Sequence, residues 1–174
     1  MIQEEFKFFK PCKLLQPYVR YYWVFNSSQM MNTYTFPIGC PQIIFHKRTP
    51  LFIPELNTTQ NRLTISGQVN FSSHLKADDD VEMIVVVFYP HTMNMFLNTP
   101  TSIFYNKEVS GYDIEDKHLN ELAMQVFDCA DNNRCVTLIE EWLLSQLSTK
   151  PTDTAYRVNR MSAAIEKLLA APHT

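Results

Sequence analysis

Between residues 18 and 88 the apolar side chains come in short runs, and Pro, Asn, Asp or Gly interrupts the chain before a helix could form between them. Parallel strands need a crossover of about a dozen residues or more, so runs this close together must pair antiparallel, as a barrel or a sandwich. The predicted strands are Tyr18–Phe25, Thr33–Phe36, Gln42–His46, Leu51–Ile53, Leu63–Val69 and Met83–Phe88. Tyr18–Phe25 is the densest in aromatic and β-branched residues, with Pro17 just before it, where proline is tolerated. Alternation puts Tyr18, Tyr22 and Val24 on one face and Tyr21, Trp23 and Phe25 on the other, so both faces need a cover or an occupant.

After Tyr89-Pro90 the period changes. Met93, Phe96 and Leu97 stand at helical spacing in a short helix over 92–97 that Asn98-Thr99-Pro100 stops. From Asp116 onward Leu119, Leu122, Ala123, Val126, Phe127 and Ala130 form one helical stripe. Asp131-Asn132-Asn133 is the predicted turn, and Val136, Ile139, Leu143 and Leu147 form a second face with Trp142 on its shoulder. A connection this short predicts an antiparallel helical hairpin. Its apolar surface either covers the open face of the β structure or, broadened by Trp142 and Leu144, also carries a dimer contact. Pro151-Thr152-Asp153-Thr154 reads as a turn, and Tyr156–Leu169 as a last amphipathic helix with Val158, Met161, Ile165 and Leu168 on its apolar face. One helix cannot bury that face by itself, which demands a partner in this chain, in a second copy or in a following domain.

Composition removes several function classes. The three glycines, Gly39, Gly67 and Gly111, lie too far apart for a phosphate-cradling loop. A formal net charge of −3 without a run of more than two cations gives no footprint for nucleic acid. No apolar run reaches the roughly 20 residues that span a bilayer, and the amino terminus, with Glu4 and Glu5 beside Phe6, Phe8 and Phe9, is not a signal peptide. A cytoplasmic setting is expected, with Cys12, Cys40, Cys129 and Cys135 reduced; Cys129 and Cys135 are close enough to face one another across the hairpin. The histidines His46, His74, His91, His118 and His173 show no metal-ligating spacing, and Asp78-Asp79-Asp80 reads as a solvated turn. No nucleophile-and-base motif occurs, so neither a metal nor a cofactor nor a catalytic residue is expected. The candidate site is aromatic. Tyr22, Trp23, Tyr34 and His46 would supply polar tips to a cavity holding a small molecule, the alternative being a filled aromatic core.

Three segments are familiar in their order: Leu15–Trp23, Phe36–Phe45, and Val86–Pro90 followed by a short helix and Pro100. Together with the hairpin through Glu140-Glu141-Trp142-Leu143-Leu144, they resemble the amino-terminal regulatory domain of one group of AraC-type bacterial transcription regulators, over residues 11–148. The resemblance implies architectural roles for Trp23, Gly39, Phe88 and Pro90. It also implies an α+β fold, an antiparallel β-barrel or cupin-like sandwich followed by the helical hairpin and a terminal connector helix. Residues 1–150 would form the regulatory domain, and residues 151–174 the connector or the first helix of a DNA-binding module. The expected function is effector sensing or dimerisation in a transcription regulator, with a small-molecule effector, a homodimer, and DNA contacted through a carboxy-terminal module. A stand-alone small-molecule-binding barrel and a small cupin-like enzyme are the alternatives.

Overall fold

A computed structural model describes residues 4–171. Its strands are β1 Glu5–Phe9, β2 Val19–Ser27, β3 Met31–Thr35, β4 Gln42–His46, β5 Phe52–Ile53, β6 Thr58–Thr59, β7 Leu63–Ser66, β8 Ser73–Ala77, β9 Val81–Phe88 and β10 Glu108–Ser110. The helices are α1 Lys117–Asp128, α2 Asn132–Ser148 and α3 Thr152–Ala170.

All strand pairings are antiparallel, as the close spacing of the runs requires. One sheet has the order β1-β2-β9-β4-β7-β10 and the other β3-β8-β5-β6. The β5–β6 hairpin is the tip of a ribbon whose successive rungs are β4 with β7, β3 with β8, and β2 with β9. Rungs alternate between the two sheets, so the ribbon is rolled up, and β9 with β4 and β5 with β8 seal it along its length. This is a jelly roll, with β1 and β10 as added edges. Of the two expected architectures the sandwich is the one formed; the described strands do not close into a barrel.

The large sheet is buried on both faces. Tyr22 and Val24 of β2, Ile43 and Phe45 of β4, and Ile84, Val86 and Phe88 of β9 pack beneath the helices, against Leu119, Leu122, Val126, Ile139 and Leu143. Their neighbours Phe25, Ile44, Met83, Val85 and Val87 face the small sheet and meet Met31, Leu51, Ile53 and Ala77. The result is three layers: helices, large sheet, small sheet. Trp142 is buried in the helix-side core, so the hairpin does cover the sheet.

Aspartates cap both hairpin helices. Asp116 accepts from Leu119 N at 3.0 Å, and Asp131 accepts from Asn133 N at 3.1 Å and Arg134 N at 3.3 Å. Asn132 and Asn133 therefore belong to the first turn of α2, while the connection begins earlier, after Asp128. Similarly, Thr152–Thr154 open α3, with Pro151 before them. The helix expected over 92–97 is a single 3-10 turn, Met93–Met95. On α3, Val158 is buried and Ile165 half-buried, but Met161 is 50% and Leu168 73% exposed. Where β4 ends and β9 begins, Lys47 pairs with Glu82 at 2.6 Å and Arg48 with Asp80 at 2.9 Å and Glu82 at 3.4 Å, which gives the acidic turn a cationic partner.

Two glycines answer to different constraints. A Cβ on Gly67 would lie 1.7 Å from the Phe104 carbonyl oxygen, whereas Gly39 has open space but φ of +68°. Gly67→Ala is expected to lower stability by about 1–3 kcal/mol through forced backbone separation. Gly39→Ala should lose about 1 kcal/mol from the left-handed conformation, and Gly39→Asn less, because asparagine tolerates it. Urea unfolding midpoints measure all three; equal losses for Gly39→Ala and Gly39→Asn would contradict the conformational account.

Candidate functional site

The space between the sheets does not fill completely. A cavity of about 280 Å³ remains at the end where the chain crosses from β3 to β4. Its apolar wall comes from β1 and β2 of the large sheet. In the β1–β2 register Phe6 lies opposite Phe25 and Phe8 opposite Trp23, which turns Phe6 and Phe8 toward the small sheet. The small sheet does not reach that far, so Phe6 and Phe8 stay 56% and 65% exposed while stacking on the strand behind. Phe6 lies 4.5 Å from Phe25 and 5.9 Å from Trp23, and Phe8 lies 5.7 Å from Tyr21, measured between ring centroids. Phe36 and Ile38 of the crossing loop complete the rim.

Opposite lies a polar strip built by β7 and β10. Leu63 and Ile65 of β7 face the helices, so the alternate residue Ser66 faces inward, and Glu108, its register partner on β10, does the same. Ser66 Oγ donates to Glu108 Oε1 at 2.9 Å, and Gln60 Nε2 donates to Glu108 Oε2 at 2.9 Å. The Gln60 carbonyl oxygen lies 2.8 Å from His46 Nε2. With the Gln60 amide nitrogen committed to Glu108, its oxygen is the acceptor, so His46 carries its proton on Nε2. His46 Nδ1 is then a bare acceptor, buried without a partner.

Burial acts oppositely on the two ends of this chain of bonds. It pushes the Glu108 carboxyl up to about 7, against the pull of its two hydrogen-bond donors. It pushes His46 down to about 4, so the imidazole is neutral at neutral pH. A carboxyl poised near neutrality can hold or release a proton, or anchor a donor presented from the cavity.

Among the four aromatic and histidine candidates, Trp23 alone lines the cavity. His46 stands one hydrogen bond behind its wall, through Gln60. Tyr22 points to the other face of β2, fully buried beneath the helices, where burial and then the nearby Glu140 charge raise its pKa. Tyr34 pairs with His74 on the outer face of the small sheet, their rings 4.8 Å apart, and is 51% exposed. The four therefore do not converge. Glu108, Gln60 and Ser66 carried no local signal, since their meeting depends on pairings 42 and 48 residues apart. Phe6 and Phe8 did carry one, in the alternation of Glu5-Phe6-Lys7-Phe8.

Elsewhere the described residues offer less chemistry. No group of three or more His, Cys, Asp or Glu side chains is placed to hold a metal, and no helix is long and apolar enough to cross a membrane. All four cysteines are free. Cys135 Sγ lies 3.5 Å from the Cys129 carbonyl oxygen, and burial pushes its thiol up to about 12. His173 lies outside the described residues.

A family model described as a domain of unknown function, DUF6597, matches residues 7–110, more than half of the chain. The chain belongs to the DUF6597 family. The DUF6597 match runs from within β1 to the end of β10, so it takes in both walls of the cavity apart from Phe6 and stops before α1. No curated protein and no solved structure matches the chain.

The His46–Gln60–Glu108 chain makes a prediction about pH. The Glu108 proton is held more tightly in the folded state, at about 7 against an ordinary 4.5, so its contribution to stability is full below 4.5 and lost as pH rises through 7. His46 is the reverse, at about 4 against 6.5: its contribution is full above 6.5 and lost as pH falls through 4. Relative to the parent protein, Glu108→Gln should gain stability as pH rises across the first window. His46→Gln should gain as pH falls across the second, each by on the order of 3 kcal/mol. Urea titrations at a series of pH values test this; parallel profiles for parent and variants would refute it.

Proposed function

We propose that this chain is a small-molecule-sensing domain whose effector sits between the two sheets and whose occupancy is relayed to α3. The observation that carries this reading is a shared wall. Ile38 and Cys40, in the β3–β4 crossing, line the inter-sheet cavity on one side and a second groove, of about 740 Å³, on the other. The far wall of that groove is α3, through Asn159, Ser162, Ile165, Glu166 and Leu169. α3 is held there by few contacts: Val158 is buried, and Ser162 Oγ lies 2.8 Å from His91 Nε2. A ligand that displaces the crossing loop therefore presses on a lightly held helix, and only differential contact of that kind shifts an equilibrium.

The cavity also has the make-up of a ligand site, largely apolar with a few convergent polar groups and a carboxyl of shifted pKa. The resemblance to the AraC-type regulatory domain supports the same reading, and brings with it a cytoplasmic setting, a homodimer and DNA contact through a carboxy-terminal module. A second reading, an acid–base enzyme, has one observation in its favour, the Glu108 carboxyl near 7. Turnover of a bound compound that disappears in Glu108→Gln would favour the enzyme.

Leu75 is a half-buried lining residue of the small sheet, and Leu75→Trp should fill the cavity while leaving the fold in place. In a thermal-shift screen of small metabolites, a true effector stabilises the parent protein, by about 2.7 kcal/mol at a hundredfold excess over Kd, and not Leu75→Trp. The same compound should change hydrogen exchange in α3. Stabilisation retained in the filled variant, or an α3 indifferent to a bound compound, would count against sensing.

A further inference from the structure

Among the described residues Glu108 has no ionic partner. None of the ion pairs among the described residues includes it, and no Lys, Arg or His stands among the described residues that line its cavity. Buried charges are ordinarily paired or bound to a metal, because desolvation is costly otherwise. A metal is poorly served here, with one carboxylate and no second acidic or imidazole ligand on the cavity wall. An anionic ligand would meet a carboxylate and no cation. The group that this site lacks is a positive charge that arrives with the ligand.

The opposite wall suits the same chemistry. Tyr21, Trp23, Phe6, Phe8 and Phe36 present aromatic rings to the cavity, which pack against the apolar body of such a cation. Ser66 and Gln60 each donate one hydrogen bond to Glu108, and an ionised carboxylate has about four acceptor positions, so capacity remains for a donor from the cavity. We propose that the cavity takes an organic ammonium ion, a protonated or quaternary amine carried on an apolar, ring-sized body. The ammonium lies against Glu108 and the body against the aromatic rim. This assignment rests on the cavity being the effector site, and it adds what the effector is. Burial pushes Glu108 up to about 7, and a cation seated against it returns the group to its ionised form.

Three probes share a phenyl ring and a short chain and differ at the end group: phenethylamine, 2-phenylethanol and 3-phenylpropanoate. Titration calorimetry on the whole chain should show phenethylamine binding roughly tenfold or more tightly than the alcohol, and no measurable heat from the carboxylate. Glu108→Gln should bring the amine down to the level of the alcohol. Phe8→Leu, at an exposed position that the fold does not need, should weaken amine and alcohol alike, because it removes a ring that holds the phenyl body they share. The alcohol or carboxylate binding as well as the amine would overturn the ammonium assignment and leave the effector site standing. Binding of both probes unchanged in Phe8→Leu, or an unchanged preference in Glu108→Gln, would also overturn it. Absence of binding by all three probes refutes the assignment, while the Leu75→Trp comparison judges the cavity by itself.

Discussion

The large sheet has to be covered twice. β9 and β2 carry apolar side chains at successive positions, so whichever face meets the helices, the other still needs protection from water. At about 25 cal/mol per Å² of apolar surface, neither face could be left open in a chain of this size. The hairpin α1–α2 closes one face with matched stripes of leucine, valine and isoleucine. The rolled ribbon closes the other with a sheet of four strands against six, and that mismatch in width leaves the cavity. The site is thus a consequence of unequal layers, with β1 overhanging a small sheet too narrow to reach it.

Polar groups occupy the one part of the inter-sheet space that apolar side chains do not fill. His46, Gln60, Glu108 and Ser66 form a single line of hydrogen bonds, from an imidazole kept neutral to a carboxyl kept near neutrality. Their pKa shifts run in opposite directions, so across mildly acidic pH what one group gains the other loses, and their combined contribution to stability stays nearly level. A buried network of this kind stays only where every member is satisfied or where something else completes it. Here His46 Nδ1 is the unfinished end, while Glu108 keeps acceptor capacity beyond its two donors.

Local pattern was enough for much of the architecture. The short runs with close punctuation dictated antiparallel pairing, and the stripes from Leu119 and Val136 onward dictated the hairpin. Of its two capping aspartates only Asp131 was singled out, within a turn Asp131-Asn132-Asn133 whose two asparagines in fact open α2. β8 and β10 escaped notice because Ser73–Ala77, inside the small sheet, and Glu108–Ser110, at the edge of the large one, are short, largely polar segments whose strand character comes from their neighbours. The site was harder for a related reason. Aromatic density singled out Tyr22, Trp23 and Tyr34, yet β2 divides its aromatic residues between two faces, and Tyr34 lies on a third surface. The carboxylate that gives the cavity its sign sits in an unremarkable stretch, and only the pairing of β10 with β7 turns it inward.

The ion pairs of Lys47 and Arg48 with Asp80 and Glu82 stand at the end of β4 away from the crossing loop. They tie together neighbouring strand ends of the large sheet, where the chain leaves β4 for β5 and returns from β8 to β9, while the other end carries rings and a loop with a left-handed glycine. Loosening is therefore expected to begin at Phe36–Cys40 and not at the charged end. α3 lies across a groove from that loop, so it is the helix such loosening would reach first.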